Sequence, residues 1–325
     1  MIAPLDRLPQ FVIAGAPKAG TTALHAALAT HPGLYLSPVK EPKYYLTDGS
    51  PPSRSGHRGP GDAHSMQEWI WRRPDYLALF AGAPAGTVRG ESTPFYLYDR
   101  AAQQRLAADV PDVKEIVEVR DPVERAYSNW AHLRADGLEP EPDFLVAVRA
   151  EERRVDEGWG PFWHYRGLGT YGAQLRDLYR QVPREQVFVL RYRQLVDTPT
   201  ETLDRVSDFL GVATGLAHAV APENVKPFVA DSLRYRLVAT VTRAGAALAA
   251  YAPPELWRRA SRPLIAAIHA GRAPRPRLPV DVRREVLAPL LPDIELLEEL
   301  SGESFADWKG DTGRGDFHSR RVARG

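Results

Sequence analysis

Short apolar runs alternate with helical patterns along the first two thirds of the chain. Residues 11–14, 87–91, 115–119 and 187–190 each have the length and composition of one buried strand. Apolar residues at helical spacing follow residue 21, recur over 101–108, and follow Asp121-Pro122 and Thr198-Pro199, pairs typical of helix starts. Strands that alternate with helices predict an α/β fold with a central parallel sheet flanked by helices.

Beyond Pro227 the strand patterns stop, and the sequence predicts two or three helices. Breaks are expected at Pro253-Pro254, around 273–279 and at Pro289. Residues 309–325 are polar, basic and rich in glycine, which predicts a disordered tail. We therefore expect one domain over 1–325, with an α/β core over 1–225 and a helical C-terminal part over 226–308.

Composition excludes several classes of protein. The formal net charge of +1 over 325 residues does not indicate a nucleic-acid partner. The absence of cysteine excludes disulfides, thiolate metal sites and cysteine nucleophiles. The first ten residues lack a signal-peptide pattern, and the apolar stretch 244–252 is too short to span a bilayer. We expect a cytoplasmic protein with no membrane segment; the oligomeric state cannot be inferred.

The turn after the first predicted strand has the composition of an anion site. It runs from Gly15 to Thr22 and contains Lys18, Gly20 and Thr21. Such a strand-to-helix turn directs backbone N–H groups at an anion on the helix N-terminus. Lysine adds a mobile positive charge, and the threonines add hydroxyl donors. The coincidence of these residue types favours a phosphate-like ligand over a plain surface turn.

A nucleoside-triphosphate P-loop is the main alternative. That motif requires a lysine directly before its Ser or Thr, whereas here Lys18 lies three residues before Thr21. The third predicted strand ends in Arg120, and we expect no acidic residue at a strand end to hold magnesium. A kinase or NTPase is therefore disfavoured, and the site is expected to work without a metal. A non-catalytic nucleotide-binding module is a second alternative.

A second anion site is predicted where the third strand ends. Arg120 follows that strand, and Ser128 lies two turns into the next helix. Ligands of open α/β sheets bind at the carboxyl ends of the strands, and an arginine fork suits a phosphate. Two anion sites at one sheet edge would fit a nucleotide with phosphates at both its 5′ and 3′ positions.

These segments resemble the sulfotransferases that use 3′-phosphoadenosine-5′-phosphosulfate (PAPS), in particular the bacterial and heparan-sulfate-type branch. The resemblance runs from about residue 11 to 211 and more weakly to 308. The loop Pro17-Lys18-Ala19-Gly20-Thr21-Thr22 resembles their 5′-phosphosulfate loop, and 120–128 resembles their 3′-phosphate segment. Three further segments are similar to blocks of that branch: Lys40-Glu41-Pro42-Lys43-Tyr44-Tyr45, Gly90-Glu91-Ser92-Thr93-Pro94-Phe95-Tyr96 and Leu190-Arg191-Tyr192.

The resemblance implies a P-loop-like fold, PAPS as co-substrate and PAP as product. It implies that Glu41 is the general base, that Lys18 stabilises the departing phosphate, and that Tyr192 lies near the adenine. Lys40 and Lys43 should lower the pKa of Glu41, so partial burial is needed for a useful base. His132 is the alternative base, although we expect a packed helix histidine there.

The acceptor cannot be inferred from the sequence. A hydroxyl or amine of a carbohydrate, lipid, peptide or secondary metabolite fits equally well. The arginine-rich segment 226–277 predicts amphipathic helices, and we expect these also to line the acceptor pocket.

Overall fold

The fold is taken from a computed structural model, which describes residues 8–51, 59–60, 69–219, 228–229, 231–249 and 254–310. Five parallel strands form its central sheet in the order β2-β3-β1-β4-β5. They are β1 Phe11–Gly15, β2 Leu34–Leu36, β3 Val88–Ser92, β4 Lys114–Val119 and β5 Val187–Arg191. The parallel sheet confirms the predicted fold class; β2 was not predicted.

The helices lie on both faces of the sheet and beyond its last strand. In chain order they are α1 Thr21–Leu28, α2 Arg73–Ala78, α3 Arg100–Asp109, α4 Pro122–Ala135, α5 Phe144–Arg149, α6 Glu151–Asp156, α7 Tyr171–Leu178, α8 Tyr192–Asp197, α9 Pro199–Leu210, α10 Leu233–Ala249, α11 Pro254–His269, α12 Val280–Leu287 and α13 Leu291–Ser301.

Strand β1 shows why both faces of the sheet are covered. Its residues are all buried, and they alternate between two apolar clusters. Phe11 and Ile13 pack with α1 and α9, whereas Val12 and Ala14 pack with α3, α4 and α7. A central parallel strand buried on both faces has to be apolar throughout, which is why it is evident in the sequence.

The strand order fixes where a ligand can bind. The chain leaves β1 toward β2 and β3, then crosses to β4 and β5 on the other side of β1. The connections after β1 and β4 therefore diverge, and the crevice between them is the site that open α/β sheets use for ligands. Asp121 caps α4 at this crevice by accepting from the amides of Val123 and Glu124 at 2.9 and 3.0 Å.

The C-terminal part departs from the sequence prediction in two ways. Four helices are described there, and the two-residue strands β6 Phe228–Val229 and β7 Arg272–Ala273 pair antiparallel. The prediction that strands stop past Pro227 was therefore wrong. Helices α10 and α11 pack against α4 through Tyr235, Ala239 and Ile268.

Helices α12 and α13 are bonded to the core. Arg283 pairs with Asp121 at 2.6 Å, and the Asp293 carboxylate accepts from the amides of Gly172 and Ala173 at 2.9 and 2.8 Å. Lys309 pairs with Glu298 at 2.6 Å, so the predicted disordered tail does not begin at residue 309. Residues 311–325 lie outside the described residues.

Candidate active site

The loop between β1 and α1 has the backbone of a tight anion-binding turn. Lys18 has φ 67°, and Gly20, at the N-cap of α1, has φ 118°. The Ala16 amide donates to the Glu118 carbonyl at 2.7 Å, which anchors the loop to β4. The first N–H groups of a helix have no partner within the helix and are available to a ligand. The predicted loop is thus placed at the crevice between β1 and β4.

The predicted 3′-phosphate residues and the adenine neighbour lie beside this loop. Arg120 directly follows β4, and its guanidinium donates to the Lys18 carbonyl at 3.4 Å. The same guanidinium lies over the Tyr192 ring, 5.1 Å from its centroid. Ser128 is half-buried on α4. The structure therefore brings Arg120, Tyr192 and the loop into direct contact, with Ser128 on the helix that starts at the same edge.

Glu118 lies beneath the loop, and its position within an apolar strand did not predict a place in the site. A Cβ on Gly20 would be 2.6 Å from the Glu118 carboxyl oxygen and 2.6 Å from the Tyr192 ring. Among the described residues neither carboxyl oxygen of Glu118 has a hydrogen-bond partner. Burial raises its pKa well above the ordinary value, against the opposing charges of Arg120 and Lys40. Burial without a hydrogen-bond partner therefore favours the neutral form of Glu118.

Glu118 and Glu91 correct one expectation. Each is the last residue but one of its strand, so acidic residues do occur at strand ends at this edge. A carboxyl whose pKa is raised well above its ordinary value by full burial, as at Glu118, is a poor magnesium ligand, because metal ligands must be deprotonated. In the described ranges, no group of three or more His, Asp or Glu side chains could hold a metal ion, and no helix is long and apolar enough to cross a membrane.

Glu41 lies on a strained loop beside three lysines. Its backbone has φ 62°, and its amide donates to the Ser92 carbonyl at 2.8 Å. The Lys40 ammonium donates to the Glu41 carboxylate at 2.6 Å. Burial raises the pKa of Glu41, but the charges of Lys40, Lys43 and Lys18 outweigh it, so the pKa lies below the ordinary value. This agrees with the predicted effect of the lysines and places Glu41 within electrostatic range of Lys18.

His132 is more closely involved than the sequence suggested. Its Nδ1 lies 3.1 Å from the Lys18 ammonium, and its Nε2 lies 3.5 Å from the Asp136 carboxylate. The ammonium can only donate, so we assign Nδ1 as the acceptor and the ring proton to Nε2, facing Asp136. The expectation of a merely packed histidine was wrong. The sequence did contain one indication that His132 lies in the site: it is four residues from Ser128, which puts both side chains on one face of α4.

His25 is a further polar group at this edge that sequence reasoning missed. It lies on α1, and its Nδ1 is 2.8 Å from the Ser92 hydroxyl. Burial and the charge of Lys40 lower its pKa to about 4, although Glu41 opposes this. A histidine with that pKa is neutral near pH 7. No feature of the sequence around His25 indicated this position.

Together these groups form a site with two cationic regions and a carboxylate. Lys18 lies within the loop and Arg120 contacts it, Tyr192 offers an aromatic face, and Glu41 is close enough to Lys18 for their charges to interact. Such a site can hold an anion with several phosphate-like groups and can accept a proton beside it.

Comparison with known proteins identifies related chains. The model of the sulfotransferase family matches residues 9–215. Heparan sulfate glucosamine 3-O-sulfotransferase 3B1 of Mus musculus is 30% identical over 207 residues, which is 63% of this chain and 47% of the relative. Bifunctional heparan sulfate N-deacetylase/N-sulfotransferase 3 of Homo sapiens is 28% identical over 212 residues, 64% of this chain and 23% of the relative. The chain thus spans less than half the length of these two relatives.

A solved structure matches over nearly the whole chain. The crystal structure of a sulfotransferase from Alicyclobacillus acidocaldarius is 27% identical, with a TM-score of 0.70. The match covers 93% of this chain and 99% of the other. It therefore includes much of the part beyond residue 215, where the family model ends.

Proposed function

This chain belongs to the sulfotransferase family, and from that membership we propose that it transfers a sulfuryl group from PAPS to a hydroxyl or amine of an acceptor, releasing PAP. The observation that supports this most strongly is the contact between the two anion regions. Arg120 donates to the backbone of the Lys18 loop and lies over Tyr192. A nucleotide that carries a 5′-phosphosulfate and a 3′-phosphate on one ribose needs two such regions close together at one edge of the sheet.

In this proposal each region binds a defined part of PAPS. The loop Pro17–Thr22, comprising Pro17, Lys18, Ala19, Gly20, Thr21 and Thr22, holds the 5′-phosphosulfate at the N-terminus of α1. Arg120 and Ser128 hold the 3′-phosphate, and Tyr192 lies against the adenine. Because burial favours the neutral form of Glu118 beneath Gly20, this carboxyl does not oppose the binding of an anion there.

Glu41 and Lys18 perform the chemistry. The acceptor oxygen or nitrogen attacks sulfur, its proton passes to the Glu41 carboxylate, and the bond from sulfur to the bridging oxygen breaks. The electron pair stays on the 5′-phosphate of PAP, where the Lys18 ammonium stabilises it. His132, oriented by Asp136, holds that ammonium in the site through Nδ1. No step requires a metal ion, and metal independence stays a prediction.

The acceptor in this proposal is a glycan, a lipid or a secondary metabolite. The names of both relatives refer to heparan sulfate, which favours a glycan. Helices α10 and α11 are proposed to line its pocket. They pack on the C-terminal end of α4, one turn beyond His132, where the Tyr235 hydroxyl donates to the Arg134 carbonyl at 2.9 Å.

Limited proteolysis tests the role of α10 and α11. Arg234 and Arg236 are exposed on α10, so trypsin can reach them. PAP together with a true acceptor should slow cleavage there, whereas PAP alone should protect the core. Equal cleavage with and without acceptor would leave these helices as scaffold.

Two experiments test the proposed activity. A thermal-shift comparison of PAP, ATP and ATP with Mg²⁺ should show the largest stabilisation with PAP; stabilisation only by ATP with Mg²⁺ would instead support a kinase. Mass-shift screening of host extracts with PAPS should then yield a product heavier by one sulfuryl group. Failure to modify any hydroxyl or amine, despite tight PAP binding, would support a non-catalytic module.

The remaining expectations belong to the same proposal. The single-domain organisation is supported by the bonds from α12 and α13 to the core. Location in the cytoplasm stays a prediction that fractionation of host cells would test.

A further inference from the structure

A fully buried carboxylate lies behind the Glu41 loop. Glu91, on β3, has no exposed surface, and its carboxylate accepts hydrogen bonds from three side-chain hydroxyl groups. Tyr96 donates to its Oε1 at 2.7 Å, Tyr76 donates to the same oxygen at 3.2 Å, and Thr93 donates to Oε2 at 2.8 Å. None of these residues has a role in the proposed reaction.

Two of these hydroxyl groups in turn hold the Glu41 loop. The Lys43 amide donates to the Thr93 hydroxyl at 3.3 Å, and the Tyr45 amide donates to the Tyr96 hydroxyl, also at 3.3 Å. The third group acts through its ring, because Tyr76 stacks on Tyr44 with centroids 4.2 Å apart. Residues 43–45 are therefore attached to β3 through groups that converge on Glu91.

The loop needs such support because its backbone is strained. Glu41 and Lys43 have φ angles of 62° and 61°, which residues other than Gly, Asn and Asp rarely adopt. Conformations of this kind persist only when the surrounding structure holds them, and they cluster at functional sites. The hydrogen bond from the Glu41 amide to the Ser92 carbonyl fixes one end of the strained stretch. The Glu91 network fixes the other.

The charge of Glu91 sets the direction of every bond in the network. An ionised carboxylate only accepts, so the Thr93 and Tyr96 protons must point toward it. Their oxygen lone pairs then face the loop and accept its amides. Burial raises the pKa of Glu91 to about 7, while the three hydroxyl donors lower it and Glu41 raises it. At pH 8 the carboxylate is ionised and the network has this polarity.

We propose that Glu91 is a positioning residue that holds the Glu41 loop in its strained conformation through Thr93, Tyr96 and Tyr76. The consequence for turnover rests on the proposed function, since it depends on Glu41 as the base. The consequence for the loop itself does not, and it can be measured without any acceptor.

The variant Glu91→Gln tests this at pH 8. The glutamine side chain has the same size as glutamate but carries an NH₂ donor in place of one acceptor oxygen. This NH₂ group would face the Thr93 hydroxyl proton, which then has no acceptor. Hydrogen exchange at the Lys43 and Tyr45 amides should accelerate by about tenfold, as expected when one buried hydrogen bond is lost. The kcat for sulfuryl transfer should fall by about 10- to 100-fold, since a base displaced from its position loses most of its contribution. The KM for PAPS and the Kd for PAP should stay within about twofold.

Glu115→Gln is the matched control. Glu115 is equally buried, but it lies on β4, and neither of its carboxyl oxygens has a hydrogen-bond partner among the described residues. This variant should leave exchange at Lys43 and Tyr45, and kcat, at the wild-type level. Wild-type exchange at both amides in Glu91→Gln, or equal acceleration in Glu115→Gln, would overturn the proposal.

A second pair of variants serves if Glu91→Gln fails to fold. Thr93→Val removes the hydroxyl that accepts from Lys43 and should accelerate exchange at that amide more than at Tyr45. Thr93→Ser keeps the hydroxyl and should restore slow exchange and most of kcat. Equal exchange at Lys43 in the two variants would contradict the proposal. Absence of sulfuryl transfer in the wild type would refute the proposed function. The hydrogen-exchange result would still decide whether Glu91 positions the loop.

Discussion

Gly20→Ala is the substitution for which the structure gives the sharpest expectation. Gly20 has φ 118°, and a positive φ costs an alanine about 1–3 kcal/mol. Its new Cβ would also lie 2.6 Å from the Glu118 carboxyl and 2.6 Å from the Tyr192 ring. Glu118 is fully buried in the sheet, so we expect Tyr192 and the loop to move. Movement of either disturbs both regions proposed to bind PAP.

The expected loss is at least about tenfold in PAP affinity, which corresponds to about 1.4 kcal/mol. Isothermal titration calorimetry measures it, and thermal unfolding reports the cost to stability. Gly86→Ala is the control, since Gly86 has φ 82° and a Cβ added there would meet nothing within 4 Å. That variant should lose stability through backbone strain alone and bind PAP normally. Equal PAP affinity in the two variants would refute the placement of the nucleotide against Gly20.

Three other predictions concern the base, the metal and the buried charge. Glu41→Gln should bind PAP normally and lose about 10²–10⁴-fold in kcat; wild-type turnover in Glu41→Gln combined with that loss in His132→Ala would assign the base to His132 instead. Activity should survive EDTA, and complete loss restored by Mg²⁺ would favour the kinase alternative. Burial raises the pKa of Glu115 from 4.5 to about 8. The unfolded chain therefore releases this proton near pH 4.5 and the folded chain only near pH 8, so stability falls as pH rises between these values. In Glu115→Gln this loss of stability should disappear, so the difference in Tm between pH 5 and pH 8 should shift in favour of pH 8 compared with the wild type. The same dependence of Tm on pH in both proteins would contradict the argument from the buried charge.

The elements that the sequence predicted are those whose burial leaves a continuous apolar pattern. Strand β1 is the clearest case, because a parallel strand covered on both faces needs apolar residues throughout. Strand β4 keeps an apolar centre between Glu115 and Glu118, and β5 is apolar although it is an edge strand and mostly half-buried. Strand β2 was missed because it has three residues, Leu34–Leu36, enclosed by Pro32-Gly33 and Ser37-Pro38. Strands β6 and β7 have two residues each, too few for any periodicity.

The site was predictable as a set of segments but not as a geometry. The glycines and lysine of the first loop and Arg120 at a strand end have local signatures. The contact of Lys18 with His132 joins residues 114 positions apart, and only the fold brings them together. Likewise, glutamate gives no indication in the sequence of the positive φ that Glu41 adopts. Glu91 behind it has the sequence context of an ordinary strand residue.

Calorimetry with PAP and ADP is the direct test of the two proposed phosphate regions, because both ligands are adenosine nucleotides with two phosphates and only PAP carries one of them at the 3′ position. Loss of a charge-assisted contact should cost about 1.5–3 kcal/mol, so PAP should bind about 10- to 100-fold more tightly than ADP. Arg120→Ala should remove most of that difference, and Ser128→Ala part of it. The ADP affinity of each variant shows whether the Lys18 loop is preserved, which matters because Arg120 also donates to that loop. Equal affinity of the wild-type protein for PAP and ADP would contradict the account.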